Sequence, residues 1–203
     1  AFGEDVGVQV YPSAELSYIL TDEPFWRGSL ENVLSQLKLR AAWGQTGKFP
    51  DPFTRDVTFQ ATSFRGASAP RFDNPGNSDL GPEKTSTLEG GFESSFFDGR
   101  FGLDVTVYRS RTTDALFEVP EQPATGRGLQ FRNVGEIENV GTELSADLRV
   151  LELENLFWQV GGSWSWNENE MESLGEAAPF NIGGSAEFAQ QRVKEGEPIG
   201  AWR

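Results

Sequence analysis

The 203-residue sequence has no cysteine and no histidine, and Met171 is its single methionine. It therefore has no thiolate for a zinc site or disulfide, no cysteine nucleophile, and no imidazole to act as a general base near neutral pH. Long hydrophobic runs are also missing. No window approaches the roughly 18 consecutive apolar residues of a membrane-spanning helix. That excludes helical spanning only, because a membrane strand needs about 9–11 residues with every second one apolar. Basic charge is scarce. Lys and Arg number 17 against 31 Asp and Glu, a net charge of −14, so a nucleic-acid partner, whose phosphates need clustered cations, is not expected.

Glycine (23) and aromatics (16 Phe, 6 Trp, 3 Tyr) are plentiful, a composition suited to many strands and turns. The dominant periodicity is two. In residues 100–110, Phe101, Leu103, Val105 and Val107 alternate with Gly102, Asp104, Thr106 and Tyr108. Residues 141–150 alternate Thr142, Leu144, Ala146, Leu148 and Val150 with Glu143, Ser145, Asp147 and Arg149. Residues 157–167 set Trp158, Val160, Gly162, Trp164 and Trp166 against Gln159, Gly161, Ser163 and Ser165. Such strands have one face in apolar and one in polar surroundings. Segments 6–20 (interrupted by Pro12), 36–44 and 85–97 fit the same period less perfectly, and 55–64 more weakly.

The connections alternate between short and long. Asp98-Gly99 is a two-residue hairpin signal joining 85–97 to 100–110, and 152–155 makes a second short link. Between them, 114–136 is long, with Pro120, Pro123, Gly126 and Gly128; 48–83 is longer still, with five prolines. Aromatics gather near strand ends: Phe96, Phe97 and Phe101 flank the first turn, Phe157 and Trp158 follow the second, and Trp164 and Trp166 sit at the far end. Short turns at one end, long loops at the other and aromatic girdles are the marks of an antiparallel transmembrane β-barrel. A secreted β-sandwich that binds carbohydrate also accommodates them.

In a barrel, Arg40, Glu89, Glu93, Asp104, Glu143, Asp147 and Arg149 would point into the lumen, because charge on the lipid face costs roughly 2–4 kcal/mol near the midplane. In the long connections, Phe53, Phe59, Phe64, Phe72, Phe117 and Phe131 could stack on a substrate, meet a partner or bury the loops' own cores. Other motifs lead elsewhere and are weaker. Gly44–Lys48 has the look of a phosphate loop, yet Ala42 stands where the first glycine is needed and Phe49 where Ser or Thr is needed. Asp73, Asn74, Asn77 and Asp79 could hold a cation but read as turn chemistry. The pairs Glu136/Glu138 and Glu168/Glu170 have the spacing of a glycosidase dyad and would support a third reading, a polysaccharide-degrading enzyme. With 31 acids, such pairs are unavoidable. No catalytic residue, metal site or cofactor is expected.

Six blocks carry a resemblance. Residues 35–47 (SQLKLRAAWGQTG), 77–93 (NSDLGPEKTSTLEGGFE), 97–113 (FDGRFGLDVTVYRSRTT), 132–144 (RNVGEIENVGTEL) and 195–202 (EGEPIGAW), preceded by 11–26 (YPSAELSYILTDEPFW), resemble in order and spacing the barrel of SusC/RagA-type TonB-dependent receptors. The resemblance implies that residues 1–203 are a partial arc of a barrel of about 22 strands, filled in the parent protein by an N-terminal plug. It further implies a bacterial outer-membrane location in contact with lipid. Import of oligosaccharides, peptides or other large nutrients would be driven by the TonB complex acting on the missing N-terminal part. A SusD-like lipoprotein would be the partner.

Overall fold

The computed structural model describes residues 7–26, 33–182 and 191–202. In chain order its strands are β1 (Ser13–Ile19), β2 (Leu34–Lys48), β3 (Thr58–Phe64), β4 (Ala67–Asn74), β5 (Glu83–Phe96), β6 (Phe101–Thr113), β7 (Leu116–Pro120), β8 (Leu129–Asn133), β9 (Glu136–Leu153), β10 (Leu156–Ser173), β11 (Phe180–Ile182), β12 (Gln191–Val193) and β13 (Ala201–Trp202). Six of them, in the order β1-β2-β5-β6-β9-β10, form one antiparallel sheet. Among the described residues no second sheet covers its apolar face, so this is a wall and not a sandwich.

The alternation dictates two faces, and the pairing register carries them across all six strands. On one face, Tyr18, Leu39, Phe92, Val105, Leu144 and Trp164 stand in a row. The neighbouring row is Leu16, Ala41, Gly90, Val107, Thr142 and Trp166. Many of the side chains on this face remain open: Leu16 is 71% exposed, Trp164 57% and, in the next row, Leu88 59%. A continuous apolar surface of this extent is not left to water in a soluble protein. Along β9 the apolar stretch from Val140 to Leu148 is nine residues, about the length that spans a bilayer as a tilted strand.

Beyond that stretch the strands continue toward the long connections. Apolar alternation stops there, and charge appears on the same face. Arg109 pairs with Glu138 at 2.5 Å, and Arg111 with Glu136 and Glu172. This explains why β9 and β10 run well past the predicted 141–150 and 157–167: pairing persists where the apolar pattern has ended.

At the other end the β5–β6 and β9–β10 turns are tight, while 20–33, with 3-10 turns at Leu20–Asp22 and Pro24–Trp26, connects β1 to β2. The 97–100 turn closes through Arg100 N–H donating to the Phe97 carbonyl at 3.2 Å, with Phe97, Asp98 and Gly99 all at positive φ. Asp and Gly tolerate that region readily, whereas Phe97 does so at some cost. Phe96 and Phe101 face each other across it, ring centroids 5.6 Å apart. β9 and β10 join through Glu154 and Asn155, with Leu153 and Leu156 paired.

The long connections contain regular structure of their own. Residues 49–82 contain the β3–β4 hairpin, and 114–135 contain the β7–β8 hairpin. The expected strand at 55–64 exists only as Thr58–Phe64, and it pairs with β4 instead of joining the wall. The 6–20 segment is strand only over Ser13–Ile19; Pro12, which has no N–H to donate, ends it. Val6 lies outside the described residues.

The densest apolar packing is at the long-connection end. Val119, Val134, Met171, Leu174, Phe180 and Val193 are buried together, with Phe117, Ile137, Ala177, Ile182 and Ile199 against them. Met171 and Ile137 are register partners on the polar side of the wall, so this cluster is built inward over the polar face. Amide side chains join the two connections. Asn133 Nδ2 donates to the carbonyls of Gly81 (2.9 Å) and Asp114 (2.7 Å), and its Oδ1 accepts from Gly81 N–H at 2.8 Å. Asn77 donates to the Phe131 carbonyl and Gln130 to that of Gly76.

Candidate functional site

The polar face carries the chemistry. Counted by register, one row across it reads Ile19, Lys38, Glu93, Asp104, Ser145, Ser163. The next is Ser17, Arg40, Gly91, Thr106, Glu143, Ser165, and the third Glu15, Ala42, Glu89, Tyr108, Gly141, Asn167. Arg40, Glu89, Glu93, Asp104, Glu143, Asp147 and Arg149 thus all share this face.

The fold brings three of the seven together. Arg40 Nη1 donates to Glu93 Oε1 at 2.8 Å, while Nη2 donates to Asp104 Oδ1 at 2.8 Å and to the Thr106 hydroxyl. Lys38 Nζ joins Glu93 at 3.4 Å. Two cations thereby neutralise two carboxylates across β2, β5 and β6. Arg40 reaches β6 because its partner on β5 is Gly91, where no side chain blocks the guanidinium's passage. The pairs are about one-third to two-fifths exposed, so water screens them and each is worth little alone; the network supplies orientation more than energy.

The other four lie apart. Glu89 lines the same shallow groove, with Glu15, Lys38, Arg40 and Glu93, but among the described residues it has no hydrogen-bonding or ionic partner. Glu143 lies in a second groove with Asp104, Ser145, Ser163 and Ser165 and is likewise unpaired among the described residues. Asp147 accepts from Gln159 Nε2 at 3.3 Å. Arg149 turns to Glu152 at 2.9 Å, near the short-turn end. Lys38, Thr106 and Tyr108 belong to the same surface without having been candidates. Their alternation was legible, but the pairing that brings them to Arg40 or Gly141 was not.

The loop aromatics divide by packing. Phe117 sits edge-on to Phe180, centroids 5.7 Å apart, within the buried cluster. Phe59 and Phe72 stack across the β3–β4 hairpin at 4.9 Å. Arg65 lies 5.6 Å over the Phe64 ring at the hairpin tip. Phe53 and Phe64 are the most open, and Phe131 is half-buried.

The remaining sequence motifs have structural employment. Gly44–Lys48 lies within β2. Asn74 Nδ2 donates to the carbonyls of Phe53, Thr54 and Asp56, and its Oδ1 accepts from Gly76 N–H. Its cluster therefore closes a loop, and no group of metal-ligating side chains occurs among the described residues. Glu136 and Glu138 are held by arginines on the face opposite the polar grooves. Glu168 and Glu170 stand on that face too, with Glu170 opposite Glu138.

This two-faced antiparallel arc has counterparts among known proteins. The family model for TonB dependent receptor-like β-barrels matches residues 2–202. The chain is 30% identical over 179 residues to TonB-dependent receptor P26 of Formosa agariphila, covering 86% of this chain and 18% of that protein. It is 29% identical over 187 residues to TonB-dependent receptor SusC of Bacteroides thetaiotaomicron, covering 85% and 18%. In fold it is similar to a chain of the RagAB peptide transporter, with a TM-score of 0.79 at 22% identity over 93% of this chain and 20% of that one. It is also similar to a chain of the RagAB peptide importer in its "open-open" state, with a TM-score of 0.76 at 22% identity over 96% and 21%. The chain spans about a fifth of the length of these relatives. It belongs to the TonB-dependent receptor-like β-barrel family, a family of receptors and transporters.

Proposed function

We propose that this chain is a section of wall and extracellular loops from a SusC/RagA-like importer in the bacterial outer membrane. The observation that carries this reading is the six-stranded sheet with an uncovered apolar belt on one face and an ion-paired, hydroxyl-rich surface on the other. The belt meets lipid, and the polar face lines the lumen. Arg40, Glu89, Glu93, Asp104, Glu143, Asp147 and Arg149 are then lumenal, with the Arg40 network fixing strand positions and the unpaired Glu89 and Glu143 available to whatever fills or crosses the lumen. The long connections face outward from the cell, and Phe53, Phe59 and Phe64 are the loop aromatics most open to an oligosaccharide or peptide substrate or a SusD-like lipoprotein. Energy from the TonB complex would enter through parts of the protein beyond this chain, and no bond-making step is assigned to the wall.

The test is membrane partition of the full-length protein. It should remain in the outer-membrane fraction through a high-salt wash, leave it only with detergent, and migrate in a heat-modifiable way on gels. Recovery in the soluble fraction of lysed cells would refute the reading.

A further inference from the structure

Tyr108 on β6 lies across β9. Its register partner is Gly141, whose other partner is Asn167 on β10. The ring sits so close over Gly141 that a Cβ there would overlap ring atoms. Its hydroxyl reaches one strand further and donates to Asn167 Oδ1 at 3.0 Å. The three residues form one strut across three strands. The Asp147 carboxylate likewise leans over Gly102, where a Cβ would meet it. At Gly141 and Gly102 a side chain from the adjacent strand thus occupies the space the glycine leaves.

We propose that Tyr108 sets the clearance of this stretch of lumenal wall, and that Gly141 is the position that allows it to do so. The inference rests on the reading of the polar face as lumenal. A ring lying flat raises the wall by about one van der Waals thickness, roughly 3.5–4 Å. With a side chain at residue 141, close packing leaves the ring no room beside the sheet, and it must rotate to another staggered well. The open direction is away from the wall. A substitution at this glycine would thus narrow the passage without removing a partner from any ion pair. Tyr108 is in this sense a positioning and size-selecting residue, with Asn167 as its catch.

The experiment uses the full-length receptor in the outer membrane with a single reporter, Ser165→Cys, which lies on the same face as Asn167 two residues along β10. Labelling rates are measured with a small, charged methanethiosulfonate reagent and with a maleimide bearing a long polyethylene glycol chain, and assembly is checked by heat-modifiable migration. Gly141→Leu should slow the bulky reagent about fivefold, equivalent to about 1 kcal/mol on the barrier, and leave the small one unchanged. Adding Tyr108→Ala to Gly141→Leu should restore the bulky rate. Should Gly141→Leu fail to assemble, Gly141→Ala takes its place, since one carbon already overlaps the ring. An unchanged bulky rate in the glycine variant, or no restoration on removing the tyrosine, overturns the role of Tyr108 and leaves the transport reading standing. If the small reagent cannot reach the reporter thiol in otherwise unaltered receptor while a lipid-soluble maleimide can, the face is not lumenal and both readings fall.

Discussion

The wall and the cluster at its long-connection end handle apolar side chains in opposite ways. In the wall, Leu16, Leu88, Val107 and Trp164 lie open on one face and gain nothing from folding until something apolar covers them. At the connection end, Met171 and Val193 are fully buried and Leu174 almost so, packed against Val119, Val134 and Phe180 from separate segments. The wall is held by backbone pairing and completed by its surroundings, whereas the cluster carries its own core. The two regions should therefore fail separately and in different solvents.

The largest effect is expected at Met171. Replacing it with alanine leaves a cavity in a closed site, at a cost of about 2–5 kcal/mol. Because the cost falls on the cluster, residues 174–182 and 191–199 should become protease-sensitive in the full-length receptor while heat-modifiable migration of the barrel persists. Joint loss of both would show that wall and cluster form one cooperative unit.

Leu144 and its neighbour Ser145 sharpen the other half of the comparison, because they are adjacent in sequence and point to opposite faces. Leu144→Arg should cost about 2–4 kcal/mol of folding free energy in a lipid bilayer. Ser145→Arg, beside Asp104 across the strand pair, should stay within about 0.5 kcal/mol. Reversible unfolding of the receptor in lipid by denaturant measures both, and equal effects would mean that the two faces see the same medium. A smaller change is expected where the two connections are tied. Asn133→Ala leaves the Gly81 N–H and carbonyl without their amide partner, which should cost about 1–3 kcal/mol locally and appear as faster hydrogen exchange at the Gly81 amide.

How much of this was legible in the sequence follows from which interactions are periodic. The faces of β6, β9 and β10 could be read because a strand's period of two is imposed by the backbone, so Leu144 and Ser145 declare opposite surroundings by position alone. The family could be read because several blocks recur in order. The buried cluster could not. Met171, Leu174, Phe180 and Val193 belong to different elements with no common period, and Phe117 looked as available as Phe64 until its packing on Phe180 was known. Nor could the loop hairpins: the weak alternation of 55–64 was real over Thr58–Phe64, but nothing local said that its partner was β4. Pairing register is the missing quantity in each case, and the candidate site depends on it most. That Arg40 meets Gly91, and Tyr108 meets Gly141, is a statement about neighbouring strands whose residues lie far apart in sequence.

Arg40 gives a small and diagnostic effect. Its guanidinium makes two 2.8 Å contacts with carboxylates on two different strands, yet all three side chains are one-third or more exposed. If stability followed the number of contacts, Arg40→Ala would be among the worst substitutions in the wall. Solvent screening says otherwise: pairs in water contribute up to about 1 kcal/mol, and Lys38 remains to share Glu93. A double-mutant cycle between Arg40→Ala and Asp104→Ala, measured by reversible unfolding in lipid, should give a coupling of about 0.5–1 kcal/mol. Arg40→Lys should recover little of it, because a single ammonium cannot span Gly91 to grip Glu93 and Asp104 together. A coupling well above that range would mean that the lumen excludes water around these charges, and the polar face would then have to be treated as the interior of a packed contact.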